Sequence, residues 1–248
     1  MYIFPIKQKW RAYVTEGIII ACVIMYMMEL LFPPILDLLA LVPQEILSGK
    51  RLWTLITHMF LHSPYDPLHI FFNMWFLWIF GQDIEKKLGH VRFLMFYLSS
   101  GIFAALFHAW FVITFLPAFS DIPAVGASGA LFGLLAAFGL LYPRRKVFAF
   151  FFPLVIAMDA WKFALVFVGI QVIYMILEIL TQTPYGVAFA AHVGGFIFGV
   201  ILTYLFRLPE RIYAHPYQPP YEFRITVYQY GADYAETPYE EEEEDYFW

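Results

Sequence analysis

Long apolar segments constrain the fold of this chain more than any other feature. Six stretches, bounded by charged residues or by Pro and Gly, come close to the roughly 20 residues that a helix needs to cross a bilayer core. They are Tyr13–Phe32, Leu68–Ile84, Phe93–Leu116, Gly126–Tyr142, Trp161–Leu180 and Tyr185–Phe206. Only 14% of the chain is charged, against about 25% in an ordinary soluble domain. We therefore predict an all-α membrane protein, a bundle of six transmembrane helices.

Basic residues in the connections predict the direction of the helices, because cytoplasmic loops are enriched in Lys and Arg. Bases cluster before the first segment and after the second, fourth and sixth: Lys7, Lys9, Arg11; Lys86, Lys87, Arg92; Arg144, Arg145, Lys146; Arg207, Arg211. The connections on the other side carry only Lys50 and Arg51. Both termini are therefore predicted to be cytoplasmic. The predicted location is a prokaryotic cell (inner) membrane, in which the chain is a multi-pass protein.

The formal charge of -5 is concentrated at the end of the chain. From residue 207 onward ten acidic residues accompany three arginines, which leaves ten acids and twelve bases before it. We divide the chain into a cytoplasmic segment 1–12, a six-helix domain 13–206 and an acidic, Pro/Tyr-rich cytoplasmic tail 207–248, predicted to be disordered or weakly ordered. The only cysteine, Cys22, excludes a disulfide or a cysteine-rich metal site within one chain.

Two connections have unusual composition. The outer loop 33–67 contains stretches that are too apolar for free water and too short to span, so we expect them to lie in the membrane interface. The inner run 147–158 is also apolar and is interrupted by Pro153. Sequence alone leaves open whether that run is a re-entrant strand or the start of the fifth helix.

Polar residues inside the apolar segments are candidates for function, because burying them in lipid is costly. His69 and Asn73, at i and i+4, share one face of the second helix. The depth of each residue follows from its distance along the helix to the cytoplasmic bases, at 1.5 Å per residue. Ser128 lies about 24 Å and His192 about 22 Å from these bases. His69 and Asn73 lie about 25 and 20 Å from them. The four residues are therefore predicted to share one layer, in a polar cavity that opens outward.

This set of residue types is suited to acyl transfer. Ser128 is a weak nucleophile unless a neighbouring base, here His192, takes its proton and later returns it to the leaving amine. The Asn73 amide, His69 and backbone N–H groups at the start of the fourth helix are donors for the oxyanion. Since no aspartate lies at this depth, the prediction is a Ser–His dyad.

Glycines give the fourth and sixth helices a means of close approach. Gly129 and Gly133 on one, with Gly195 and Gly199 on the other, form small-xxx-small faces. Gly126 and Gly129 also allow a tight turn beside Ser128. Close approach of these helices would bring the serine to the histidine.

Taken together, these residues resemble the rhomboid family of intramembrane serine proteases. The resemblance covers about residues 10 to 206 and lies in the order, spacing and segment of five motifs. They are Arg51-x-Trp53-Thr54, Met59-Phe60-Leu61-His62, His69-x-x-x-Asn73, Gly126-Ala-Ser128-Gly129 and Ala191-His192-x-Gly194-Gly195. The GxSG motif alone is a weak signal, whereas the joint match is strong.

The resemblance implies that Ser128 is the nucleophile and His192 its base, with His69, Asn73 and the Ser128 N–H as the oxyanion hole. It implies a six-helix rhomboid-like bundle that uses no cofactor. Its substrates would be single-pass membrane proteins, cut near the outer boundary of their helix, with the fifth helix and the outer loop as the gate and framework. Phe132 falls where the family often has an aromatic ring beside the histidine.

Other functions compete with this interpretation. One is an inactive member of the same fold that binds or escorts membrane proteins, and a less favoured one is a small transporter, although no internal repeat is found. The i, i+4 pair His58 and His62 lacks the glutamate of a zinc-binding HExxH helix, so no metal is expected at this pair. A soluble α/β-hydrolase is excluded because GASGA lacks the last glycine of GxSxG. No nucleic-acid partner is expected, and the sequence leaves the oligomeric state open.

Overall fold

The computed structural model describes residues 10–151 and 154–207, and most of them are helical. The helices are α1 (Tyr13–Leu31), α2 (Ile35–Leu39), α3 (Pro43–Leu47), α4 (Thr54–Thr57), α5 (Pro67–Phe76), α6 (Gln82–Leu88), α7 (His90–Phe115), α8 (Ser128–Leu141), α9 (Ala160–Thr181) and α10 (Phe189–Arg207). The strands are β1 (Lys146–Phe151) and β2 (Leu154–Asp159). A π-helical turn, Leu77–Gly81, joins α5 and α6 into one continuous rod. Short 3-10 turns lie at His58–Phe60 and Pro117–Phe119.

A helix occupies each of the six apolar segments seen in the sequence. Four of these helices are long and apolar enough to cross a membrane: α1, α7, α9 and residues Phe189–Phe206 of α10. Helix α8 has only 14 residues, and the rod formed by α5 and α6 carries charged residues in its last turns. The protein is therefore mostly helical, with four candidate membrane spans in the described residues, and six crossings stay a prediction.

The connection between α8 and α9 is a β-hairpin, so the all-α prediction is wrong here. Strands β1 and β2 pair antiparallel, with Val147 opposite Met158. Ala149 packs against the helical core while Phe148 is exposed, because successive strand residues point to opposite faces. The run is rich in Val, Ile and Phe, which favour strands. The run 147–158 is therefore strand and not the start of the fifth helix, since α9 begins only at Ala160.

The outer loop 33–67 folds into a framework of short helices. Leu41 and Ile46 bury their side chains against Ala105 and Ala109 of α7. The backbone of Leu41 pairs with Ala124, which ties the loop to the segment before α8. Its location in the membrane interface stays a prediction.

The two ends of the chain fall largely outside the described residues. The N-terminal segment 1–12 is described only from residue 10, and the acidic tail is described only at Arg207, the last residue of α10. Their predicted locations and the predicted disorder of the tail stay predictions.

Glycines let α8 and α10 approach to backbone contact, as predicted. A Cβ on Gly195 would lie 1.9 Å from the carbonyl oxygen of Gly129, and one on Gly199 would lie 2.5 Å from the Cα of Gly133. Real Cβ atoms essentially never come within 3.0 Å of other heavy atoms. Ten of the 14 residues of α8 are buried, so this helix lies at the centre of the bundle.

Two buried carboxylates fix the ends of α1. Glu85 of α6 accepts hydrogen bonds from the N–H groups of Val14 and Thr15 at 2.9 and 2.8 Å and from the Thr15 hydroxyl at 2.6 Å. This carboxylate caps α1, because the first N–H groups of a helix lack acceptors within it. Near the other end, Glu29 accepts from the N–H of His62 at 3.0 Å. Both carboxylates thereby gain the partners that burial requires.

Replacing Gly199 by Ala tests the backbone contact between α8 and α10. The new methyl group would meet Gly133 backbone atoms at 2.5 Å, and no side-chain rotation can relieve that clash. We expect Gly199→Ala to lower the free energy of unfolding by about 1–3 kcal/mol, as overpacking does. The measurement is thermal or denaturant unfolding of the full chain in detergent.

Gly169→Ala is the matched control, since nothing lies within 4 Å of a Cβ at Gly169 on α9. It should leave the unfolding midpoint nearly unchanged. Equal stability of the two variants would contradict the close approach of α8 and α10.

Candidate active site

A cavity of about 670 Å³ lies between α5, α8, α9 and α10. Its walls are largely apolar, and polar side chains from all four helices reach it. They are His69, Asn73, Ser128, Gln171 and His192. All four site residues predicted from the sequence therefore line one cavity. A second groove, of about 520 Å³, lies between α1 and the α5–α6 rod and is lined by apolar and aromatic residues without a serine, histidine or carboxylate.

Ser128 is the first residue of α8 and follows a turn at Gly126. Gly126 has a φ of +126°, a backbone angle that residues with a Cβ rarely adopt. Its N–H donates to the carbonyl oxygen of His58 at 2.9 Å, and a Cβ here would lie 2.8 Å from Nε2 of His69. The predicted turn is present, and glycine is needed both for its backbone conformation and for the close approach of His69.

The side chains of Ser128 and His192 meet across the α8–α10 contact. Oγ of Ser128 lies 2.7 Å from Nε2 of His192, within the range of an O–H···N hydrogen bond. The imidazole is only 7% exposed and stacks on the Phe132 ring, with centroids 4.4 Å apart and planes at 13°. The stacking matches the expectation from the resemblance, and the arrangement places a hydroxyl beside a buried imidazole.

The other imidazole nitrogen of His192 has a partner that was not predicted from the sequence. Nδ1 of His192 lies 2.8 Å from Oε1 of Gln171, on α9. No aspartate of the described residues lies at this depth, and a neutral amide makes the contact instead. An uncharged amide near the middle of an otherwise apolar segment is the signal that could have found Gln171.

His69 and Asn73 lie on one face of α5, as their spacing predicted, and both line the cavity. Asn73 is 6% exposed, and its Nδ2 has no hydrogen-bond partner among the described residues. A buried donor without a partner is costly, so this amide is a donor available to a bound group. The His69 ring packs edge-on against His62, with centroids 5.2 Å apart.

His58 and His62, the i, i+4 pair of the outer loop, are buried. Nδ1 of His58 lies 2.7 Å from the carbonyl oxygen of Thr54. Burial lowers the pKa of His58 to about 4 and that of His62 to about 3, so both rings are neutral at pH 7. No three metal-binding side chains (His, Cys, Asp or Glu) come together within the described ranges.

A protein-family model matches this chain over its central and C-terminal helices. The model, described as the Rhomboid domain, matches residues 49–209. The match covers more than half of the chain and includes Ser128, His192, His69 and Asn73.

Curated relatives carry the same family name. Rhomboid protein 1, mitochondrial, of Saccharomyces cerevisiae is 35% identical over 54% of this chain and 36% of the relative. Rhomboid protease GluP of Bacillus subtilis is 38% identical over 42% of this chain and 19% of the relative. Rhomboid protease GlpG of Serratia proteamaculans is 27% identical over 77% of this chain and 61% of the relative.

The chain thus spans less than two-thirds of the length of each of these relatives. Because they include mitochondrial and bacterial proteins, a prokaryotic origin of this chain stays a prediction. The family model, the relatives and the apolar helices together show that this chain is an integral membrane protein and belongs to the rhomboid family.

Proposed function

We propose that this chain is a serine-type intramembrane endopeptidase that cleaves transmembrane segments of membrane proteins. Ser128 is the nucleophile and His192 the general base. The observation that carries the proposal is the 2.7 Å contact between Ser128 Oγ and His192 Nε2, because a serine needs such a base at neutral pH. The names of two relatives, rhomboid proteases GluP and GlpG, support the same activity.

The reaction proceeds in two acyl-transfer steps. Ser128 Oγ bonds to the scissile carbonyl carbon while its proton passes to Nε2 of His192, and the carbonyl oxygen becomes negative. The C–N bond then breaks, and His192 gives its proton to the leaving amine. A water molecule attacks the acyl-enzyme with His192 again as base, which releases the acid product and restores Ser128.

Asn73, His69 and the backbone N–H of Ser128 form the oxyanion hole. Nδ2 of Asn73 is buried without a partner among the described residues, so it needs no prior hydrogen bond to break. The Ser128 N–H is in the first turn of α8, where N–H groups have no acceptor within the helix. The positive end of the helix dipole also favours the developing negative charge.

Water and substrate reach the dyad from different sides. Ser63 and Asp66 line the loop end of the cavity, which provides a polar path for the water that hydrolysis consumes. Helix α9 has no buried side chain between Ala164 and Glu178. A transmembrane segment of a single-pass substrate would enter laterally past this stretch of α9.

We further propose six membrane crossings with both termini in the cytoplasm. Helix α8 and the rod formed by α5 and α6 would supply the two crossings beyond the four candidate spans. Helix α8 is too short to span alone, but its burial among other helices removes the need to match the lipid thickness.

Cysteine accessibility tests this topology. In a Cys22→Ala background, which removes the only cysteine, Ser48→Cys should react with a membrane-impermeant maleimide in intact bacterial cells that express the protein. Lys86→Cys should react only after the membrane is permeabilised. Both positions are exposed, so equal labelling of both in intact cells would overturn the proposed topology.

Loss of either dyad residue tests the activity. Ser128→Ala and His192→Ala should each lower cleavage of a model transmembrane substrate by about 10⁴-fold or more, as in serine proteases that lose a catalytic group. A fluorophosphonate probe should label the wild-type protein and miss Ser128→Ala. Unfolding midpoints near the wild-type value will show that both variants fold.

A wild-type protein that folds, yet neither cleaves nor reacts with the probe, would favour the inactive binding or escort protein instead. Normal cleavage by both variants would show that the dyad assignment is wrong.

Asn73→Ala should lower kcat by about 10²-fold with little change in KM, because an oxyanion donor acts mainly in the transition state. The measurement is steady-state cleavage in detergent over a range of substrate concentrations. Gln82→Ala is the control, since it removes an amide of the same rod that donates to the carbonyl oxygen of Trp78. An effect of Asn73→Ala confined to KM would assign Asn73 to substrate binding.

A further inference from the structure

His192 is held at both ring nitrogens. Nε2 lies 2.7 Å from Ser128 Oγ, and Nδ1 lies 2.8 Å from Oε1 of Gln171. Three helices therefore meet at one imidazole: α8 supplies the hydroxyl, α10 the ring and α9 the amide. The bond to α9 lies outside the dyad and needs its own explanation.

The identity of the amide atom at this contact determines the tautomer of the ring. An amide oxygen can only accept, so Nδ1 must carry the proton, and Nε2 of the neutral ring keeps its lone pair for the serine proton. The reverse amide orientation would place the NH2 group against Nδ1 and leave the proton on Nε2, facing Ser128. Nε2 of Gln171 lies 3.4 Å from the carbonyl oxygen of Phe167, which favours the orientation with the oxygen toward the ring.

The location of Gln171 argues that this contact has a function. Gln171 is the twelfth of 22 residues in α9, near the middle of a helix that is long and apolar enough to cross a membrane. A polar side chain at such a place is costly unless it is satisfied. Apolar side chains on either side of this position, Phe167 and Met175, pack α9 against the core, so packing of α9 does not require an amide here.

We propose that Gln171 is a positioning residue that holds the Nδ1–H tautomer and the ring orientation of His192, and thereby makes it competent to deprotonate Ser128. Gln171 does not contact the reacting atoms and acts only through His192. The inference rests on the proposed function of the dyad, and it extends the dyad to a Ser–His–Gln chain that spans α8, α10 and α9.

The rate of fluorophosphonate labelling of Ser128 in the full chain tests this role, because labelling needs the activated serine and no protein substrate. Gln171→Leu removes the acceptor at similar volume and should slow labelling and lower kcat by about tenfold to a hundredfold, with KM within about twofold. Gln171→Glu keeps an oxygen acceptor of the same length and should restore the rate to within about threefold of wild type. Thr181→Val, which removes a hydroxyl that donates to Leu177 at the end of the same helix, should have no effect.

Labelling of Gln171→Leu at the wild-type rate would overturn the inference while leaving the dyad intact. A higher KM with unchanged kcat would also overturn it, because that result indicates a merely structural contact. If the folded wild-type protein is not labelled at all, the proposed function fails and this inference fails with it.

The wild-type protein alone provides a second test, which does not depend on how the variants fold. In ¹⁵N-histidine-labelled protein at neutral pH, the signals that disappear in His192→Ala identify the His192 ring. We expect their chemical shifts to report a proton on Nδ1. A proton on Nε2 would overturn the inference.

Discussion

Backbone contact between α8 and α10 is the constraint on which the site depends. Ser128 and His192 are separated by 64 positions in the chain, and their short side chains meet only if the two helix axes come very close. Glycines allow this short distance between the helix axes, since no Cβ fits between the helices where Gly195 meets Gly129 and Gly199 meets Gly133. Lipid provides no hydrophobic drive for helix association, so dispersion and close packing at such small residues hold the helices together.

Two buried carboxyl groups and one buried amide of the described residues differ in how their hydrogen bonds are satisfied. Glu85 and Glu29 are fully buried and satisfied by backbone N–H groups of α1 and of the outer loop. They fix one helix to its neighbours, because buried polar groups need hydrogen-bond partners. Asn73 is also buried, yet its Nδ2 is left without a partner among the described residues and faces the cavity. A free donor in the same cavity as Ser128 is what stabilisation of an anion in the proposed reaction requires.

The helices and the common depth of the polar residues could be predicted because both follow from length and spacing along single segments. The same depth estimate put Ser128 and His192 in one layer, and the glycine spacing then identified the faces that bring them together. The hairpin at 146–159 could not be predicted, because a short apolar run has no period that separates a strand from a buried helix. Gln171 was missed for a related reason: a helix that is apolar on every side has no periodic pattern to show which face meets the histidine, so the lone amide is the only signal.

The choice of an amide rather than a carboxylate at Gln171 has an electrostatic explanation. An unpaired carboxylate within a bundle in lipid carries a desolvation penalty of several kcal/mol, whereas an amide oxygen accepts the same hydrogen bond without a net charge. An amide orients the ring as well as a carboxylate does but stabilises the imidazolium less. The Phe132 face, stacked on His192 at 4.4 Å, compensates in part through its attraction for a cation. Because Gln171 lies on α9, the orientation of the His192 ring depends on the position of that helix, which is the wall past which a substrate would enter under the proposed function.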